Sequence, residues 1–108
     1  MNGHLCLNEL AGVIRDVNRA NGWNVTQATE WLDRYKIPAV LALIHSEASE
    51  ALEAFRNDEQ EHFKEELIDI LIRVLDLAWA FDFDLDAAIL AKIDKNRHRG
   101  FHHGGKRI

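Results

Sequence analysis

Two acidic pairs, Glu47-x-x-Glu50 and Glu66-x-x-Asp69, lie in consecutive segments that both pattern as helix. Residues three apart on a helix are neighbours, with Cβ atoms about 5–6 Å apart, so each pair can aim two carboxylates at one point. If the two helices pack antiparallel, four carboxylates converge. Oxygen-only ligation of that kind suits Mg2+, or Mn2+ in its place, better than zinc or copper. Either pair alone reads more readily as the solvated face of a helix. Their joint occurrence near the middle of two apolar helices changes the balance, because lining up unpaired carboxylates beside a core is costly and a cation relieves it.

A second group answers the first. Lys92, Lys95, Asn96 and Arg99, followed by Lys106 after Gly104-Gly105, offer the charge-assisted hydrogen bonds that phosphate oxygens take. The plain alternative is a basic helix end, where cations are favourable anyway. From Glu47 to Asp69 nine acids stand against two bases, a local charge of −7, whereas Lys92 to Ile108 carries +5 within a chain of net charge −5. An acidic cage and a basic tail are what handling a nucleoside polyphosphate requires. The acidic remainder of the chain opposes nucleic-acid binding.

The elements that must position these groups read as all-α. Leu5 to about Ala20 has apolar residues at helical spacing and ends at Asn21-Gly22, both tolerant of the left-handed backbone. Thr26 can cap a short helix reaching Trp31 and Leu32. A helix from about Pro38 to Arg56 carries an apolar stripe through Ile37, Leu41, Ile44, Ala48, Ala51 and Phe55. Glu47 lies about 60° from the stripe centre, at 100° per residue, which half buries it, while Glu53 points away. After Asn57-Asp58, a long helix runs from Glu59 to about Ala80, apolar round a wide arc with a narrow polar strip through Glu66, Asp69, Arg73 and Asp76. So wide an arc needs more than one neighbour. In a chain of 108 residues some of those neighbours belong to another subunit. Asp86, or Asp84 before it, caps a last helix to about Arg97, buried through Ile89, Leu90 and Ile93.

The length fits one domain over residues 1–108, with a basic, glycine-containing tail at 98–108. No apolar run approaches the roughly 20 residues of a membrane span. The first residues lack the basic-then-apolar pattern of a signal peptide. The single cysteine, Cys6, reads as a small core residue, and cysteine usage suits a reducing cytoplasm. Trp31 and Trp79 read as core, and Trp23, just past a helix end, as the tryptophan exposed for stacking on a base. His45 reads as a partly buried structural histidine. Glu59-x-x-His62 matches one half of a di-iron carboxylate motif, but no second copy exists.

Residues 44–55, IHSEASEALEAF, and 63–75, FKEELIDILIRVL, resemble the MazG-like all-α nucleoside triphosphate pyrophosphohydrolases. The tail KIDKNRHRGFHHGGK is similar to the family's phosphate-binding end, and NRANGW is a weaker echo, so the likeness covers about residues 37–106. It implies a four- to five-helix bundle completed by assembly as a homodimer or homotetramer. It also implies Glu47, Glu50, Glu66 and Asp69 as Mg2+ ligands, with Glu47 or Glu50 orienting the attacking water. Lys92, Asn96 and Arg99, with Lys95 and Lys106 beside them, would hold the phosphates, and Trp23 would lie near the base. The implied reaction converts a nucleoside triphosphate to the monophosphate and pyrophosphate, in house-cleaning or nucleotide-pool control. The family's first motif often opens with two adjacent acids, whereas here Ser46 precedes Glu47; the number of metals is left open. Three alternatives remain: a related enzyme acting on dUTP or phosphoribosyl-ATP, a redox di-metal bundle, and a non-catalytic helical interaction module.

Overall fold

In the computed structural model, which describes residues 6–23 and 26–99, four α-helices follow one another: α1 (Leu7–Ala20), α2 (Lys36–Arg56), α3 (Gln60–Ala80) and α4 (Leu85–Arg99). A 3-10 turn, Ala28–Leu32, lies between α1 and α2, and no strand occurs among the described residues. None of the described helices is long and apolar enough to cross a membrane.

The helix ends explain why the chain turns where it does. α1 stops in a Schellman arrangement, with Gly22 at φ +75, its N–H donating to the Arg19 carbonyl and the Trp23 N–H donating to the Asn18 carbonyl. That geometry fixes the exit direction of Trp23. The same pattern ends α2: Asp58 adopts φ +56, Asp58 N–H donates to the Phe55 carbonyl and Glu59 N–H to the Ala54 carbonyl. The α2–α3 connection is therefore a tight, specified hairpin. Pro38 sits in the first turn of α2, as its missing N–H allows. The capping acceptor is Asp33, whose Oδ1 takes the N–H groups of Tyr35 and Lys36 at 2.7 and 2.9 Å. Those two bonds hold the Asp33 carboxyl below its ordinary value of 3.8.

The main packing is α2 against α3, with α1 laid across α3. Small residues make these contacts close: Ala51 and Ala54 of α2 and Ala11 of α1 are buried, and a Cβ on Gly12 would meet the Trp79 ring at 3.4 Å. Arg15 is buried beneath the loop that follows α1, where it donates to the Thr26 and Asp76 carbonyls and faces the Asp76 carboxylate at 3.6 Å. One guanidinium thus ties α1, the loop and α3 together.

Several sequence expectations need correction. Cys6 is no core residue; it is the N-cap of α1, its Sγ accepting from the Glu9 N–H at 3.4 Å. Thr26 caps nothing; the 3-10 turn is closed by a capping box between Gln27 and Glu30. Of the two candidate caps of α4, the structure selects Asp84, which accepts from the Ala87 N–H. Asp86 instead reaches across to α1 and accepts from the Leu7 and Asn8 N–H groups, while Asn8 Oδ1 accepts from Leu85 N–H and Asn8 Nδ2 donates to Asp84. The two N-termini cap each other. Ile89, Leu90 and Ile93 are exposed, not buried, because α4 packs chiefly on α1 and only through its start. Trp31 and Trp79 are likewise exposed, Trp31 making an edge-on contact with Phe81 at 5.5 Å. His45 is exposed too.

Candidate carboxylate and nucleotide site

Helix pairing sets the register of the site. Arg73 bonds Glu47, and Glu66 feels Glu50 directly, so residue pairs run in opposite directions along α2 and α3. The hairpin is antiparallel, and the two acidic motifs come level. Glu66 is buried at 8% exposure, and the Glu47 side chain is 14% exposed; Glu50 and Asp69 are exposed. The polar strip of α3 therefore faces into the fold at Glu66. A buried carboxylate needs a partner, and Arg73 and His62 answer. Arg73 Nε–H donates to Glu47 Oε1 at 2.7 Å. His62 Nε2 lies 3.2 Å from Glu66 Oε1, and its Nδ1 lies 3.1 Å from Glu59 Oε2.

The remaining oxygens are less well served. Glu47 Oε2 and Glu66 Oε2 are both buried, and no hydrogen-bond donor among the described residues meets them. Burial first, and the Glu50 charge second, push the Glu66 carboxyl above its ordinary 4.5, with Asp69 adding to the repulsion and His62 opposing it. Two carboxylates in contact have no hydrogen to share unless one is protonated. A cation would serve the same purpose. Oxygen donors of this kind, two of them buried and without a partner, are of the chemical type that a hard divalent ion takes.

Among the described residues, no group of three or more His, Cys, Asp or Glu side chains is arranged to hold a metal ion. The physical reason is visible in the bonds above: Glu47 is drawn toward Arg73 and Glu66 toward His62, so the four carboxylates do not point to one centre.

Beside the carboxylates opens a cleft of about 630 Å3, large enough for a nucleotide. Glu47, Asp69 and Arg73 line it together with Asn18, Trp23 and Val40. Trp23 is 62% exposed and so presents an open ring in the same cleft as two of the carboxylates. The expected phosphate ligands are elsewhere. Lys92, Lys95, Asn96 and Arg99 are exposed on α4, and none of them lines this cleft; Lys106 lies outside the described residues. Reading from sequence missed Arg73 and His62 as partners of the carboxylates. His62 lies four residues before Glu66 on α3, the spacing that could have flagged it, whereas Arg73 meets Glu47 across the hairpin and no local spacing announces that.

No curated protein and no solved structure matches the chain. The family described as the MazG nucleotide pyrophosphohydrolase domain matches residues 36–103, which takes in α2, α3 and α4 and both acidic motifs. That match covers more than half of the chain, and the protein belongs to the MazG nucleotide pyrophosphohydrolase domain family.

Proposed function

We propose that this protein is a Mg2+-dependent nucleotide pyrophosphohydrolase that converts a ribo- or deoxyribonucleoside triphosphate and water to the monophosphate and pyrophosphate, in house-cleaning or nucleotide-pool control. The observation that carries the reading is that the two acidic pairs lie level across the α2–α3 hairpin, with the Glu66 carboxyl raised by burial and then by the Glu50 charge. Glu47 and Glu66 have buried oxygens without a donor, and one member of each pair, Glu47 and Asp69, lines a cleft that holds an exposed tryptophan. Glu47, Glu50, Glu66 and Asp69 would hold the ion, with Mn2+ as a substitute. Bound there, a divalent ion neutralises phosphate charge and lowers the pKa of coordinated water.

Glu47 or Glu50 orients the attacking water in line with the α-phosphorus. The new P–O bond forms there as the bond to the bridging oxygen breaks; the water's proton passes to solvent, and pyrophosphate departs with the electron pair. Trp23 stacks on the base. Lys92, Asn96 and Arg99, supported by Lys95 and Lys106, stabilise charge on the departing group. Because the first four of these lie on α4, away from the cleft, their role requires assembly to bring α4 to a carboxylate site. A second copy of the chain is the proposed source, in a homodimer or homotetramer. Exposed apolar side chains on α2, α3 and α4 support that assembly.

The test is a panel of nucleoside triphosphates, with dUTP and phosphoribosyl-ATP included, scored for pyrophosphate with Mg2+, with Mn2+ and with chelator. Metal-dependent release of pyrophosphate and monophosphate is the expected result. Absence of hydrolysis for every nucleotide would leave a helical binding module in its place.

A further inference from the structure

We infer that Arg73 is the resident counter-ion of the carboxylate site: it holds Glu47 until a divalent cation takes that carboxylate, and the two compete. The inference rests on the proposed assignment of Glu47 as a ligand. Three observations carry it.

First, the Arg73 bond is the one hydrogen bond that the described residues give the Glu47 side chain, through Nε–H to Oε1 at 2.7 Å. Second, the partners differ in freedom. The Glu47 side chain is 14% exposed and the Arg73 side chain 40%, so the carboxylate is fixed in the helix contact while the guanidinium already reaches water. A long side chain with a wet head swings at little cost. Third, both residues line the cleft that Asp69 lines, and Arg73 follows Asp69 by one helical turn. A divalent ion between Glu47 and Asp69 would therefore meet a like charge beside it.

The arrangement solves a problem of the ion-free chain. An isolated buried carboxylate is destabilising, and removing one partner of such a pair leaves a charge uncompensated. Arg73 supplies the compensation and also points Glu47 into the cleft. The same bond must break, or be shared, when an ion arrives, so Arg73 sets how tightly the ion is held.

The experiment measures Mn2+ binding to the nucleotide-free protein by electron paramagnetic resonance, for wild type, Arg73→Gln, Glu47→Gln and the double variant. Arg73→Gln should bind Mn2+ on the order of tenfold more tightly, the usual worth of a charge-assisted bond no longer in competition. In the Glu47→Gln background the same substitution should have a much smaller effect, the remainder being the like charge beside Asp69, whereas a purely structural arginine would act equally in both backgrounds. Should Arg73→Gln fail to fold, the wild-type Arg73 Nε–H resonance supplies the readout: it should move as Mg2+ is titrated in. Unchanged or weaker Mn2+ binding in Arg73→Gln, or an Arg73 resonance indifferent to saturating Mg2+, overturns the inference. Tighter binding in Arg73→Gln without any hydrolysis by the wild type would keep it and remove the proposed activity. Hydrolysis with equal Mn2+ affinities would do the reverse, and no Mn2+ binding by any form would remove both.

Discussion

Glu50 and Glu66 stand opposite each other on neighbouring helices with no donor between them, while Glu47 leans on Arg73 and Glu66 on His62. If these side chains do chemistry, charge and not shape is what they contribute. Glu50→Gln or Asp69→Asn should lower turnover by on the order of a hundredfold or more, with the helical circular dichroism unchanged; retained hydrolysis in both would take the carboxylates out of the mechanism. The metal-free protein should also record the crowding of Glu66 in its pH profile. Glu66 is raised above 4.5 in the fold, so its contribution to stability is full below that value and is lost as pH rises through the higher folded value. His62, raised above 6.5 chiefly by its bond to Glu59, adds a loss of the same sign on the alkaline side. Thermal midpoints in chelator should therefore fall across this range. Glu66→Gln should remove the first part of the fall, and a midpoint that climbs with pH would contradict the account. The acids themselves were legible in the sequence because their spacing on a helix is fixed. Arg73 was not, because its bond to Glu47 crosses the hairpin and needs the register of the two helices, whereas His62 stands one turn from Glu66 on the same helix.

Among the elements, the sequence fares best where periodicity is long and worst where a cap comes from another helix. α2 and α3 begin and end within a residue or two of where apolar spacing and the Asn57-Asp58 turn place them. The exchange of caps between Asn8 and Asp86 was invisible, since a local reading assigns an Asp to the helix that follows it. The role of Arg15 was equally hidden: nothing in its neighbours announces a residue that is 2% exposed. Its loss should be felt widely. Arg15→Ala leaves Asp76 facing a void and the Thr26 carbonyl without its donor, and should cost about 3 kcal/mol by comparison with other broken buried pairs. Urea unfolding of the variant measures this. A cost near zero would mean that the loop after α1 is held by other contacts. The Trp23 side of the cleft depends on the same loop, so the variant should also raise KM.

Taken whole, the chain leaves much of its apolar surface uncovered. Phe55 is 71% exposed, and Phe63, Leu67, Leu71 and Val74 form a stripe along α3 at helical spacing, each at least 36% exposed. The radius of gyration, 16.4 Å, exceeds the roughly 13 Å of a compact chain of this length. The wide apolar arc of α3 was read from the sequence as needing more neighbours than the chain owns, and the described helices indeed leave it half covered. Burying one such side chain contributes about 1.5–3 kcal/mol, so a second copy on this stripe has ample driving force. Light scattering should give a mass of two or four chains, and Leu71→Lys should shift it toward one. A wild-type mass of a single chain would sink the proposed assembly.

The crossed caps at the other end of the molecule have a consequence for how it comes apart. Since the first amides of α1 are closed by a carboxylate on α4, and the first amide of α4 by a side chain of α1, neither helix can fray from its start alone. Deuterium should enter Leu7, Asn8 and Leu85 at one shared rate, and Asp86→Ala should quicken all three together.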